Sequence, residues 1–256
     1  MDQRIRGSWL VALAAAIISV LFLRTDIDAQ GRGGAQPQTS AKASAPIDLT
    51  GYWVAEITED WRWRMVTPAK GDYLSIPINA AAEKAADAWD PAKDDAAGEQ
   101  CRSYGAPGVM RAPTRLNITW QDDNTLKVQT DYGDQTRLLH FGNWTPGAGP
   151  ATWQGDSKAH WDASQAQGRP KGGTLVSVTR HLRPGYLRKN GVPYSSDAVF
   201  TEYWDVVKAA NGDQRIILTT VVDDPKYLRE PWTVPVHFKK EPNGAKWNPT
   251  PCSSAW

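Results

Sequence analysis

Val199-Phe200-Thr201-Glu202-Tyr203-Trp204-Asp205-Val206-Val207-Lys208 runs through Ala209-Ala210-Asn211-Gly212-Asp213 into Gln214-Arg215-Ile216-Ile217-Leu218-Thr219-Thr220-Val221-Val222. Both flanks are rich in β-branched and aromatic residues, and Asn211-Gly212 is a tight-turn pair that tolerates positive φ at both positions. The stretch predicts an antiparallel hairpin. Side chains alternate across a strand, so Phe200, Glu202, Trp204 and Val206 share one face and Thr201, Tyr203 and Asp205 the other. Glu202 therefore points with the aromatics. A carboxylate on an apolar face must be paired, protonated or line a wet cavity, because leaving it buried and bare is too costly.

The same composition recurs over residues 49–58, 60–66, 115–121, 125–130, 135–141, 151–161, 174–182 and 233–239, with Asp122-Asp123-Asn124 as another tight turn. One helix is expected over 80–89, with Asn79 as N-cap, an alanine-rich body and Asp90-Pro91 as its stop. Short connections and a single helix cannot build βαβ crossovers, which excludes a parallel sheet and makes neighbouring strands antiparallel. The reading is all-β: an antiparallel barrel with one short helix inserted, spanning 47–256 as one domain, with a β-sandwich as the alternative.

Ahead of this domain the sequence reads as an export signal. Arg4 and Arg6 precede residues 9–23, apolar apart from Ser19, and Ile27-x-Ala29 offers a cleavage site that would leave Gln30 as the mature N-terminus. The alternative is an uncleaved anchor, but the run falls short of the roughly 20 apolar residues that cross a bilayer. Residues 1–29 are thus a signal peptide, 30–46 a flexible leader of Gly, Gln, Ser, Ala and Pro, and no stable membrane span is expected after cleavage. A periplasmic or secreted protein follows. In an oxidising compartment Cys101 and Cys252 predict a disulfide, two buried free thiols being the alternative.

Twenty-nine Lys and Arg against 28 Asp and Glu leave a formal charge of +1, no footprint for nucleic acid. P-loop, G-x-G-x-x-G, H-E-x-x-H, C-x-x-C and G-x-S-x-G motifs are absent, and His140, His160, His181 and His237 lack metal-ligand spacing, so neither metal nor cofactor is expected. The 13 tryptophans are about four times ordinary usage.

Leu49-Thr50-Gly51-Tyr52-Trp53 resembles the G-x-W start of lipocalins, and Thr130-Asp131-Tyr132 has the letters of a second lipocalin motif. The resemblance implies an up-and-down barrel in which Trp53 plugs a closed end. Glu59-Asp60-Trp61-Arg62-Trp63-Arg64-Met65, taken as a strand, puts Trp61 and Trp63 together as a flat aromatic wall. Arg62 and Arg64 lie opposite, where they could hold a carboxylate or pair with Glu202. The alternative is a core Trp pair with arginines in surface salt bridges.

In Trp153-Gln154-Gly155-Asp156-Ser157-Lys158-Ala159-His160-Trp161-Asp162 the alternation sets Asp156, Lys158, His160 and Asp162 on one face. Asp156 and His160 are then about 13 Å apart and could act only through a substrate. The basic run over 180–189 reads as a solvated loop.

Trp153-Gln154-Gly155-Asp156-Ser157, Asn190-Gly191-Val192-Pro193-Tyr194-Ser195, Thr201-Glu202-Tyr203-Trp204 and Asp224-Pro225 with Glu230-Pro231-Trp232 resemble, in this order, a group of exported bacterial proteins of unknown function. The resemblance covers about residues 100–240, implies a shared fold and assigns no catalytic residue. The chain departs from it in a polar insert over 163–173 and in Tyr194, where the group often has His; the latter weakens Tyr194 as a general base.

Three functions follow. The first is binding of a small apolar or aromatic molecule in a barrel pocket lined by Trp61, Trp63, Phe200 and Trp204, oriented by Glu202, Arg62 and Arg64. The second is a cofactor-free lyase, isomerase or hydrolase that moves protons through Glu202, Tyr194, Asp156 or His160. The third is a carbohydrate- or protein-binding module with an exposed Trp platform.

Overall fold

Alternating apolar and polar positions let the sheet roll up until its edges meet. The computed structural model describes residues 39–147, 149–162 and 172–254. Nine strands hydrogen-bond in a closed ring: β1 (Gly51–Glu56), β11 (Trp232–Glu241), β10 (Gln214–Asp223), β9 (Val199–Lys208), β6 (Thr174–Arg180), β5 (Asp156–Asp162), β4 (Gln135–Phe141), β3 (Thr125–Thr130) and β2 (Arg115–Asp122), which returns to β1. A separate ribbon pairs β7 (Gly185–Arg188) with β8 (Val192–Tyr194). The fold is an all-β barrel, not a sandwich.

Eight ring pairings are antiparallel. The ninth corrects the expectation of antiparallel neighbours throughout: β4 and β5 run parallel, Leu139 opposite Ser157 and Phe141 opposite Ala159. Residues 142–155 are long enough to carry the chain back and restart it in the same direction without a helix. The β9–β10 hairpin forms at Asn211-Gly212, although only Gly212 takes positive φ, at 87°. Asn211 instead accepts the Asp213 N–H through Oδ1 at 3.0 Å.

The inward side chains form two apolar clusters. The lower contains Trp53, Leu116, Leu139, Trp204, Leu218 and Phe238, and Trp53 donates its indole N–H to the Leu49 carbonyl at 2.9 Å. The upper contains Phe200, Val222, Leu182, Tyr194 and Trp232. A polar residue lies above the lower level on each of three neighbouring strands: Glu202 between Trp204 and Phe200, Thr220 between Leu218 and Val222, and Ser177 above Leu175, where the next inward residue, Thr179, is polar as well.

Arg137 on β4 completes this layer. Its Nη1 and Nη2 donate to the two Glu202 oxygens at 2.8 and 2.5 Å, and Ser177 Oγ donates to Glu202 Oε2 at 3.0 Å. Both charged side chains are 0 % exposed. Glu202 is therefore paired, with Arg137 and not with Arg62 or Arg64.

Short helices pack at the upper end, more of them than the single insertion expected. α2 (Ala80–Asp87) starts at Asn79, whose Oδ1 accepts from the Ala81 and Ala82 N–H groups at 3.0 and 3.1 Å. Asp90-Pro91 proves to be a start rather than a stop. Asp90 caps the Ala92 N–H and Pro91 takes the first position of α3 (Pro91–Ala96), where its missing N–H costs nothing. α1 (Trp61–Arg64), α4 (Ala106–Val109) and a 3-10 turn at Gln100–Tyr104 complete the helical set among the described residues. Cys101 in that turn is disulfide-bonded to Cys252, with Cα atoms 5.0 Å apart. The bridge spans 151 residues of sequence, a closure worth on the order of 5 kcal/mol in the chain-entropy model.

The signal reading over 1–29 and most of the polar insert over 163–173 lie outside the described residues. The leader reading needs correction from Thr39 onward. Ala41 N–H donates to Asn124 Oδ1 at 2.9 Å, and its carbonyl accepts the Trp161 indole N–H at 2.8 Å. Trp161 packs with Phe141 and Trp120 at the lower end, ring centres 5.4 to 6.4 Å apart. A half-buried indole N–H needs an acceptor, and the leader backbone supplies it. Among the described residues no helix is long and apolar enough to cross a membrane.

Replacing Glu202 by Gln, or Arg137 by Met, leaves one buried charge unpaired and is expected to lower stability by about 3–5 kcal/mol. The double variant R137M/E202L should recover most of that loss. Urea denaturation followed by near-ultraviolet circular dichroism measures all three, and single variants as stable as the parent would show that the pair holds nothing in place.

Candidate functional site

The chain leaves β1 at the upper end, where both edges of that strand are already taken by β2 and β11. The closed ring has no free edge for a further strand, and residues 61–64 wind into α1. Asp60 enters it with φ 49°, a left-handed conformation costing about 1 kcal/mol. The Asp60 carbonyl accepts from the Trp63 and Arg64 N–H groups at 2.9 and 3.1 Å. The strand expected over 60–66, and the aromatic wall built on it, are therefore corrected.

The four side chains of α1 diverge. Trp61 is 65 % exposed. Trp63 turns inward and its indole N–H is shared between the two Asp72 oxygens, each at 3.2 Å. Arg62 is exposed and pairs with Asp72 at 3.2 Å. Arg64 is buried; its Nε donates to the Arg111 carbonyl at 2.8 Å and its Nη1 pairs with Glu59.

Two adjoining hollows lie beside α1. The outer, of about 400 Å³, has Trp63, Arg64, Met65, Pro113, Tyr132 and Lys189 among its walls. The Tyr132 ring packs on Tyr104 at 4.9 Å, and Lys189 Nζ lies 4.0 Å from the Tyr132 ring centre. The inner, of about 30 Å³, shares Trp63, Arg64 and Lys189 and adds Arg111 and Arg188. Asp60 holds Arg111 at 2.8 Å, and the Leu74 carbonyl and Ser75 Oγ hold Arg188 at 2.9 and 2.8 Å.

This packing concentrates positive charge. Burial, with the Arg111 guanidinium as a like charge, pushes Arg64 and Arg188 down to about 10. Burial also pushes Arg111 down, and Lys189 down to about 6.

Phe200 and Trp204 are buried in different apolar clusters and line neither hollow, and neither do Glu202, Trp61 and Arg62. The interior position expected for a pocket is instead occupied by packed side chains and the Arg137–Glu202 pair. Tyr194 is wedged against Gly105 and Gly185, where an added Cβ would come within 2.1 and 2.5 Å of its hydroxyl. That hydroxyl has no hydrogen-bond partner among the described residues, and burial raises its pKa. Asp156 and His160 lie on the outward face of β5. Asp156 pairs with His181 Nδ1 at 2.9 Å and accepts from the Gly147 N–H at 2.7 Å, while His160 is exposed. The four proton-transfer candidates thus stand in three separate environments: the lumen, the upper core and the outer surface.

The sequence reading picked out Trp63 and Arg64 but not Arg111, Arg188 or Lys189. Arg111 carried a usable signal, a lone cation between Met110 and Ala112 in an otherwise apolar stretch. The basic run over 180–189 is corrected: Tyr186, Leu187 and Arg188 are buried on β7. Two residues from the stretches compared with that exported group have structural duties here. Ser195 donates through its N–H and Oγ to the two Asp224 oxygens at 2.7 and 2.8 Å, and Gly155, at φ 60°, passes too close to the Arg180 carbonyl for any side chain. Among the described residues no group of three His, Cys, Asp or Glu side chains could hold a metal ion. No family model matches the chain, and no curated protein or solved structure does either.

Tyr194→Phe removes a buried hydroxyl that lacks a partner, so stability should hold or rise by about 1 kcal/mol. Folded Tyr194 keeps its proton where an unfolded tyrosine, with a pKa of about 10, loses it. The resulting stabilisation is complete below that pH and is lost as pH climbs above it, through the raised folded value. The variant should therefore show a shallower alkaline decline in chemical denaturation between about pH 8 and 12; an identical decline would remove Tyr194 as its source.

Proposed function

We propose that the protein is an exported binding protein that holds a small apolar or aromatic molecule at the barrel mouth. The outer hollow carries this reading. Its volume of about 400 Å³ falls within the roughly 300–1,000 Å³ of small-molecule sites, Trp63 and Tyr132 are among its walls, and Met65 and Val66 stand exposed at its rim. The pocket thereby moves from the lumen to the mouth, keeping Trp63 and Arg64 from the sequence reading. The signal-like residues 1–29 and the Cys101–Cys252 bridge support a periplasmic or secreted location.

An acid–base enzyme has less behind it, since Glu202, Tyr194, Asp156 and His160 do not converge. A sugar platform has one fully presented ring, Trp61, where a pair was expected. The test is titration of the purified protein with the neutral fluorophore N-phenyl-1-naphthylamine. Saturable binding is expected, weakened about tenfold, or about 1.4 kcal/mol, by Trp63→Ala. Absence of saturable binding, or binding indifferent to Trp63→Ala, would reject the mouth as the site.

A further inference from the structure

The inner hollow contains buried cationic groups whose hydrogen bonding is incomplete. Arg64 Nη2 and Arg111 Nη1 are both buried and make no hydrogen bond among the described residues. The remaining contacts of these side chains fix them rigidly. Arg64 is bonded to the Arg111 carbonyl and to Glu59, and Arg111 Nη2 is bonded to Asp60. Four basic side chains, Arg64, Arg111, Arg188 and Lys189, line this hollow, and no carboxylate among the described residues does. The acids that balance them, Glu59, Asp60 and Asp72, are outside its lining.

A buried donor without an acceptor costs about 1–3 kcal/mol, more when charged, and both donors belong to side chains that line this one hollow, which calls for an occupant that accepts twice. Arg188 is different. Its Nη groups already bond the Asp72 and Leu74 carbonyls and Ser75 Oγ, and it contributes charge and shape only. At about 30 Å³ the hollow admits a group of one or two oxygen atoms, too small for a ring or a sugar. Through the shared walls Trp63, Arg64 and Lys189 it adjoins the cleft assigned to the apolar body.

We infer that the inner hollow takes a carboxylate, whose oxygens accept from Arg64 Nη2 and Arg111 Nη1, and that the ligand is therefore a small amphipathic organic acid with its apolar part against Trp63 and Tyr132. This rests on the binding reading above and narrows its ligand class. Burial, and after it the like charge of Arg111, holds Arg64 and Arg188 below the ordinary arginine range, and a bound anion would offset both.

The test displaces N-phenyl-1-naphthylamine from the disulfide-intact protein with decanoate and with decanol, which share a chain and differ in the headgroup. Decanoate is expected to compete about tenfold more tightly. Arg111→Gln, which lies outside the outer cleft, should bring the two within about threefold of each other. If the fluorophore binds but the acid and the alcohol compete equally, or neither competes, the carboxylate assignment fails while the binding reading stands. If the fluorophore itself does not bind, the binding reading fails. Should Arg111→Gln not fold, side-chain N–H resonances of ¹⁵N-arginine in the unmutated protein decide the matter. Decanoate should shift two guanidinium signals that decanol leaves in place, and the lack of any acid-specific shift would mean a hollow that holds water only.

Discussion

The two-pronged bond between Arg137 and Glu202 governs how this barrel is filled. Each charge is tolerable in the interior only because the other is there, with Ser177 supplying a further hydrogen bond. The polar layer they form divides the lumen into an apolar floor around Trp204 and an apolar roof around Phe200. It also sets the register. Sliding β9 by two residues against β6 would preserve which side chains face inward, but would push Glu202 into one of the apolar levels and leave Arg137 bare. With the lumen packed around the Arg137–Glu202 pair, the aromatic-walled cleft lies among the loops over the roof.

Those loops are where charge and apolar surface meet. The four residues of α1 send Trp61 to solvent, Trp63 to Asp72 and Arg64 under the fold. The acids around it are spent on orienting the guanidiniums, Asp60 on Arg111 and Glu59 on Arg64. Arg64 Nη2 and Arg111 Nη1 are left without a partner among the described residues, on side chains that line a small hollow beside a larger aromatic-walled cleft, an arrangement suited to a molecule with one charged end.

The strand pattern was legible because barrel walls are two-faced. β3, β4 and β9 run over the stretches read from alternation, and the interior position of Glu202 follows from the same period. The failures share a cause, since each depends on a neighbour distant in sequence. The alternation of Trp and Arg over 61–64 has a strand-like period, but the ring they would extend is already closed. Ala41 lacks the bulk to declare itself part of a core, and what orders it is the indole of Trp161. Tyr186, Leu187 and Arg188 look like a loop until β8 pairs with them. The tryptophan excess was read as a pocket lining, yet Trp53, Trp161 and Trp204 serve mainly as packing volume in or against the lower cluster. Charge at the site was visible residue by residue, but its convergence was not, because Arg64, Arg111 and Arg188 come from three unrelated segments.

The ring closes by pairing β1 with β11, two strands separated by most of the domain. Until that late partner arrives, β1 has one unsatisfied flank, and the cylinder is a curled ribbon with half its oil-like filling facing water. Such long-range closure is slow, because the entropy of a large loop must be surrendered before any contact rewards it. A polypeptide delivered from its N-terminus therefore stays pliable through most of its emergence and becomes rigid only near the end, which makes the interval before closure the period of greatest exposure to aggregation and proteases.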